Sequence, residues 1–184
     1  IKLLSVASKK LSKVEQRVHP CFVKLKSDIA KVGNEINAVI VNDSVIGKNI
    51  FEGPGAGAGP TGASVMSDLM DIIRGTYNYP LGVSMKKKKK LKIQKIDDLS
   101  FPYYLRITAK DKAGVMAKIS KALSKRKISI ESIIQKPSKR SNFAEIILIT
   151  HTVKESSLLS SIKQIKRLPE VSSSVKFIRI EDSL

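Results

Sequence analysis

Hydrophobic and polar residues in the second half of the chain repeat with the periods of strands and amphipathic helices. Tyr103, Leu105, Ile107 and Ala109 alternate with polar residues as in a half-buried strand. Beyond them the pattern predicts a helix over 115–123, strands over 128–135 and 143–150, a helix around 158–165, and a strand over 175–180. This βαββαβ order is typical of a ferredoxin-like sandwich, in which two helices cover one face of an antiparallel sheet.

The first 51 residues carry strand signals. We expect strands in IKLLSVA and VEQRVHPCFV, and a hairpin formed by NEINAVIV and VIGKNIF with its turn at Asn42, Asp43 and Ser44. These segments predict a sheet whose partners the pattern does not identify.

A glycine-rich loop after Phe51 leads into a predicted helix from Thr61 to Arg74. Thr61 has the hydroxyl of a good N-cap, and Gly75 stands where a helix end favours positive φ. Apolar residues form one stripe along this helix, so that face must be buried against another surface: Val65, Leu69, Ile72 and Ile73.

Pro80, Gly82 and the lysine run Lys86–Lys90 interrupt the pattern between the two halves. Breaks of this kind mark linkers. We therefore predict a first domain over 1–80, a lysine-rich linker over 81–100 and a second domain over 101–184.

The composition limits the classes of function. A net charge of +18 in 184 residues invites a nucleic-acid interpretation, but the excess is lysine scattered among apolar and small polar residues, with 5% aromatic content to stack on bases. A solvated surface without a nucleic-acid partner is expected instead. No apolar run approaches the roughly 20 residues of a membrane span, and no secretory signal opens the chain, so we predict a cytoplasmic location. One cysteine and two distant histidines predict neither a disulfide within the chain nor a metal site.

The glycine loop fails the phosphate-binding motifs that it most resembles. Ala58 and Pro60 stand where G-x-G-x-x-G would need a glycine, and Ala63 replaces the lysine of a Walker loop. From spacing alone the loop is either a ligand contact or a structural turn. His19 has no carboxylate or nucleophile beside it in sequence, so a structural role is expected, and Cys21 is expected to be a small buried residue.

The longer strings carry a family resemblance. The first half resembles the end of the catalytic region of homoserine dehydrogenase, and the second resembles an ACT regulatory domain. The strings that carry the two resemblances are NAVIVNDSVIGKNIFEGPGAGAGPTGASVMSDLMDIIR for the first, and YYLRITAKDKAGVMAKISKALSKRKISIESIIQK with AEIILITH for the second. The resemblance implies an α+β chain, in which a mixed-sheet remnant of the substrate and dimerisation region precedes a ferredoxin-like ACT domain.

For the complete protein the resemblance implies NAD- or NADP-dependent interconversion of L-homoserine and L-aspartate 4-semialdehyde. The dinucleotide-binding domain, the catalytic lysine and the substrate-binding acidic residues are then expected upstream of Ile1, so no catalytic residue is assigned here and the chain alone is expected to be inactive. The cofactor contact carried over to this chain is Gly57, with Gly55 and Ala56 beside it.

The ACT resemblance implies an amino-acid effector, expected to be L-threonine, and a homodimer formed through the substrate region and the ACT domain. The effector contacts carried over are Asp111, Ala113, Gly114, Val115 and Gln135; Ala113 stands where many relatives have proline. Two alternatives stay open at this point: a stand-alone ACT-type amino-acid-binding protein without catalysis, and a basic nucleic-acid binder.

Overall fold

The computed structural model describes residues 1–10, 12–76, 90–138 and 142–182. The chain forms two compact units, the larger comprising Ile1–Lys24 with Lys92–Ser183 and the smaller comprising Leu25–Leu91. Residues 77–89, which include 81–89 of the predicted linker and Lys86–Lys89 of its lysine run, lie outside the described residues, as do residues 11, 139–141 and 183–184.

The elements are numbered along the chain. The strands are β1 Lys2–Lys10, β2 Lys13–Val23, β3 Ile36–Asp43, β4 Gly47–Pro54, β5 Lys92–Ile93, β6 Ser100–Phe101, β7 Tyr103–Lys110, β8 Ile130–Pro137, β9 Phe143–Thr150, β10 Val153–Lys154 and β11 Val171–Glu181. The α-helices are α1 Asp28–Lys31, α2 Ala58–Ile73, α3 Val115–Ser124 and α4 Glu155–Ile165, and a short 3₁₀ turn covers Ile96–Asp98.

The predicted βαββαβ order is confirmed in the larger unit as β7, α3, β8, β9, α4 and β11. The strands lie in the order β11-β7-β9-β8, all antiparallel to their neighbours, as in a ferredoxin-like sheet. Alternation along β7 buries Tyr103, Leu105, Ile107 and Ala109 completely, as predicted. Apolar residues of α3 and α4 pack onto this face, among them Ile119 and Leu158.

The hairpin β1–β2 extends the same sheet. Strand β2 runs parallel to β11, pairing Cys21 with Arg179 and Val23 with Glu181, and β1 pairs antiparallel with β2 beyond it. The fold is therefore α+β with a mixed sheet, as expected. The larger unit contains residues from both sides of the predicted linker. The functional division into 1–80, 81–100 and 101–184 stays a prediction.

The smaller unit holds the predicted hairpin, β3–β4, followed by α2. Asp43 shapes the hairpin turn, since its Oδ1 accepts a hydrogen bond from the backbone N–H of Val45 at 2.8 Å. The stripe predicted on α2 is exposed: Val65, Leu69, Ile72 and Ile73 each keep roughly half of their surface or more.

The prediction of Thr61 as the N-cap of α2 is wrong. The helix begins three residues earlier, and Thr61 lies inside its first turn, where its N–H donates to the carbonyl of Gly57 at 3.1 Å. Pro60 does not prevent this start, because a proline in the first turn lacks only an N–H that would have no helical partner. The helix ends within one residue of the predicted end: Ile73 is its last residue, Arg74 is its C-cap, and Gly75 takes a φ of +67°.

Two strands also differ in extent from their predictions. β8 covers Ile130–Pro137, two residues later than expected, and β11 begins at Val171 because a register shift between Val171 and Val175 lengthens it. Within the described part of the chain, no helix is both long enough and apolar enough to cross a membrane.

Candidate functional site

Gly55 stands at the end of the β3–β4 hairpin in a crowded position. Its N–H donates to the carbonyl of Glu35 at 2.6 Å, so this amide is already used within the unit. A methyl group on Gly55 would lie 1.9 Å from Nδ2 of Asn37, and the Asn37 side chain would have to move to admit it. Packing against Asn37 therefore explains the glycine at position 55.

Gly57 directly precedes α2 and has a φ of +126°, a conformation that side chains disfavour. The Ala58 and Gly59 N–H groups precede the first intrahelical hydrogen bond, at the helix end that attracts electron-rich groups. Gly55, Ala56 and Gly57 are all exposed. A loop with this backbone and no bulky side chain allows a flat ligand to approach closely.

The loop predicted to bind an effector connects β7 to α3. Gly114 adopts the left-handed conformation, with a φ of +84°, and a methyl group there would contact nothing within 4 Å. Position 114 thus requires a glycine because of its left-handed backbone conformation, and not because a larger side chain would clash with neighbouring atoms. Asp111, Ala113 and Gly114 are exposed, whereas Val115 is buried and anchors the start of α3.

Gln135 on β8 and Asp111 meet although they are 24 positions apart. Nε2 of Gln135 donates to Oδ1 of Asp111 at 3.1 Å, and the Asp111 backbone N–H donates to the carbonyl of Asn142 at 3.0 Å. The site therefore presents a carboxylate, a side-chain amide and the start of a helix. These groups suit the ammonium and carboxylate of a free amino acid.

A buried group of charged residues was not predicted. On β2, Glu15, Arg17 and His19 are each less than a tenth exposed. Nε of Arg17 donates to Oε1 of Glu15 at 2.7 Å, and Nη2 donates across to Oε2 of Glu181 on β11 at 2.6 Å. Nη1 of Arg17 lies 3.4 Å from Nε2 of His19. The signal was present in the sequence, because three polar residues at spacing two share one face of a strand, but polar faces are expected to be exposed.

A second group lies beside the first. Arg179 pairs with Glu155 at the start of α4, and the Tyr103 hydroxyl also donates to Glu155. The Phe101 ring contacts both groups, with the Arg17 and Arg179 guanidinium carbons 4.8 and 5.9 Å from its centroid. Every charge of this region thus has a neighbour of opposite sign or an aromatic face.

Burial sets the protonation of this region. It lowers the pKa of His19 below 6.5, and the charges of Arg179 and Arg17 lower that pKa further. Burial raises the pKa of Tyr103, helped by its bond to Glu155, and raises the pKa of the Cys21 thiol, which is fully buried as expected. His19 is therefore neutral near pH 7. The described residues hold no cluster of three or more His, Cys, Asp or Glu side chains arranged for a metal.

Comparisons with known proteins identify two family segments in the chain. The sequence model of the homoserine dehydrogenase family matches residues 1–70, and that of the ACT domain matches residues 103–170. The homoserine dehydrogenase of Helicobacter pylori is 35% identical over 182 residues, 99% of this chain and 43% of the relative. That of Pseudomonas aeruginosa is 38% identical over 188 residues, 98% of this chain and 43% of the relative. The chain thus spans less than half the length of these relatives.

Solved structures give the same result. A homoserine dehydrogenase from Thiobacillus denitrificans superposes with a TM-score of 0.86 at 32% identity, over 98% of this chain and 42% of that protein. The Staphylococcus aureus homoserine dehydrogenase at pH 6.0 shares the fold with a TM-score of 0.56 at 23% identity, over 100% of this chain and 42% of that protein. With both family segments present in order, the chain belongs to the homoserine dehydrogenase family and carries an ACT domain after its homoserine dehydrogenase segment.

Proposed function

We propose that this chain is part of an enzyme that interconverts L-homoserine and L-aspartate 4-semialdehyde with NAD or NADP, and that its ACT domain senses an amino acid. The homoserine dehydrogenase match over residues 1–70 supports the enzyme over a stand-alone binding protein, because a stand-alone sensor would need only the second match. The nicotinamide cofactor supplies the hydride chemistry. This chain supplies a contact surface and a sensor.

The contact surface for the cofactor is the loop at Gly55, Ala56 and Gly57. The fit is supported by the φ of Gly57 and by the start of α2, which offers N–H groups and no bulky side chain. Gly57 carries the main role, because the Gly55 amide is held by Glu35. In the complete enzyme, Gly57→Val should raise the Michaelis constant for the cofactor, and an unchanged constant would contradict the assignment.

The effector site is formed by Asp111, Ala113, Gly114, Val115 and Gln135, with L-threonine as the ligand. The observation that carries this proposal is the hydrogen bond between Gln135 and Asp111, which sets a carboxylate and an amide beside the start of α3. The Asp111 carboxylate would accept hydrogen bonds from the ammonium group of the ligand, and the N–H groups at the start of α3 would donate hydrogen bonds to the ligand's carboxylate. By family resemblance the protein acts as a homodimer, formed through the substrate region and the ACT domain.

Calorimetric titration of the 184-residue chain with L-threonine tests the sensor, with serine, isoleucine and methionine as competitors. Saturable binding of threonine is expected. Gln135→Ala should lower the affinity about tenfold, because it removes a hydrogen bond from the Gln135 side chain to a charged group of the ligand, and such a bond contributes about 1.5 kcal/mol. Gln164→Ala, on α4, is the matched control and should bind as the unchanged chain does. Equal affinity of the Gln135 and Gln164 variants would contradict the site.

Activity of the 184-residue chain is expected to be absent. Reduction of aspartate semialdehyde by the purified chain, followed by loss of nicotinamide absorbance, would contradict this expectation. Such activity would also show that the 184-residue chain alone suffices for the chemistry.

A further inference from the structure

The two family segments lie in one sheet and are joined through a short junction with β11, the strand that directly follows the ACT match. Strand β2 belongs to the homoserine dehydrogenase match, and β11 completes the sheet of the ACT domain. Their parallel pairing covers only Cys21–Val23 against Arg179–Glu181, whereas β1 and β2 pair along nearly their full lengths. Side chains must therefore contribute strongly to holding the β1–β2 hairpin on the ACT sheet.

The side chains that cross this junction include the triad of Glu15, Arg17 and Glu181. The Arg17 guanidinium binds a carboxylate of its own strand and one of β11, and all three residues are more than nine-tenths buried. A buried ion pair is sensitive to the loss of one partner, because the remaining charge is left without compensation. Separation of β2 from β11 would break the bond between Arg17 and Glu181 and is therefore strongly opposed.

A second set of contacts extends from the triad into the ACT core. Phe101 lies against both Arg17 and Arg179, and Arg179 binds Glu155 at the start of α4. Glu155 also accepts from Tyr103 on β7, the strand that ends at the proposed effector loop. Residues of β2, α4 and β7 are thus joined through direct contacts.

We propose that the Glu15–Arg17–Glu181 triad is a coupling device that makes the β1–β2 hairpin move with the ACT sheet. A change of the ACT sheet on effector binding then reaches the homoserine dehydrogenase segment through β2. The mechanical part of this proposal depends on the described contacts alone, and only its regulatory meaning rests on the proposed function. Arg17 acts as a positioning residue and not as a catalytic one.

Hydrogen–deuterium exchange of the 184-residue chain tests the mechanical part. In Arg17→Met, the amides of β1 and β2 should exchange about tenfold faster or more, while those of β7 and β9 keep their rates, because the hairpin opens without the ACT core. Lys24→Met is the matched control: Lys24 follows β2 and pairs with Asp182 after β11 at 3.1 Å, but this bridge is exposed. Its exchange should equal that of the unchanged chain.

Two results would overturn the proposal: hairpin amides in Arg17→Met that exchange as slowly as in Lys24→Met, or equal acceleration throughout the larger unit. If Arg17→Met fails to fold, the triple variant Glu15→Gln, Arg17→Met, Glu181→Gln removes all three charges together and leaves none unpaired. The same selective acceleration of β1 and β2 is expected of it, and its absence would count equally against the triad.

The complete enzyme tests the regulatory part. Arg17→Met should bind L-threonine with unchanged affinity, yet keep severalfold more activity than the unchanged enzyme at saturating L-threonine, whereas Lys24→Met should behave as the unchanged enzyme. Inhibition of Arg17→Met to the ordinary extent at saturating L-threonine would refute the regulatory role. If the unchanged enzyme binds no amino acid, the effector assignment fails, and the exchange result still decides the mechanical coupling.

Discussion

Helices α2 and α3 have similar apolar patterns but different environments. Residues 115–123 of α3 place Val115, Ile119, Ala122 and Leu123 in the core of the larger unit, and all four are buried. In α2 no residue is buried, although Val65, Leu69 and Ile72 recur at comparable spacing. An apolar stripe thus predicts that a helix has a buried face, while the burial itself depends on partners that the local sequence does not specify.

The largest expected effect comes from truncating one residue of the apolar stripe in each helix. Ile119→Ala should lower the free energy of unfolding by about 3 kcal/mol, since Ile119 is fully buried and leaves a cavity. Leu69→Ala should cost less than about 1 kcal/mol, because Leu69 remains nearly half exposed. Urea unfolding of the 184-residue chain measures both. Equal losses would mean that the α2 stripe is covered in the free chain.

The two hairpins, β1–β2 and β3–β4, also differ in how far their side chains are buried. β1–β2 directs charged side chains into the larger unit, whereas β3–β4 keeps Val39, Val41 and Phe51 largely exposed. Strand signals correctly predicted the β3–β4 hairpin and both strands of β1–β2, but not the pairing of β1 with β2. The parallel pairing of β2 with β11 joins residues more than 150 positions apart and leaves no local pattern, so sequence reasoning could not find it.

The candidate sites were predictable to different degrees. Asp111 and Gln135 came from the family resemblance, and the structure brings them into contact because β8 and β7 both pair with β9. The start of α2 was missed because Gly57 and Pro60 resemble helix breakers, whereas at a helix start their backbone conformations are compatible. The triad around Arg17 was missed because a buried polar face inverts the usual alternation of a strand.

A smaller effect is expected from pH. Because burial holds the pKa of His19 below its unfolded value near 6.5, the unfolded chain takes up a proton more readily than the folded chain. This contribution to stability is fully present above pH 6.5 and is lost progressively as the pH falls through 6.5 toward the folded pKa. Urea unfolding between about pH 8 and pH 5 should show this loss.

His19→Gln should reduce the loss of stability at acid pH. The exposed His151 provides the control, and His151→Gln should keep the acid sensitivity of the unchanged chain. If both variants lose stability as steeply as the unchanged chain, His19 does not set the pH dependence.

The smallest expected effect compares two glycines, one near the start of each helix. Gly114 has positive φ, so Gly114→Ala should destabilise the larger unit by about 1 kcal/mol although space is free around it. Gly59 lies inside the first turn of α2 with nothing within 4 Å, so Gly59→Ala should stabilise the smaller unit by about 0.5 kcal/mol through reduced entropy of the unfolded chain. Thermal unfolding should therefore shift in opposite directions for the two variants. A shift in the same direction would mean that backbone conformation does not govern the effect at one of the two positions.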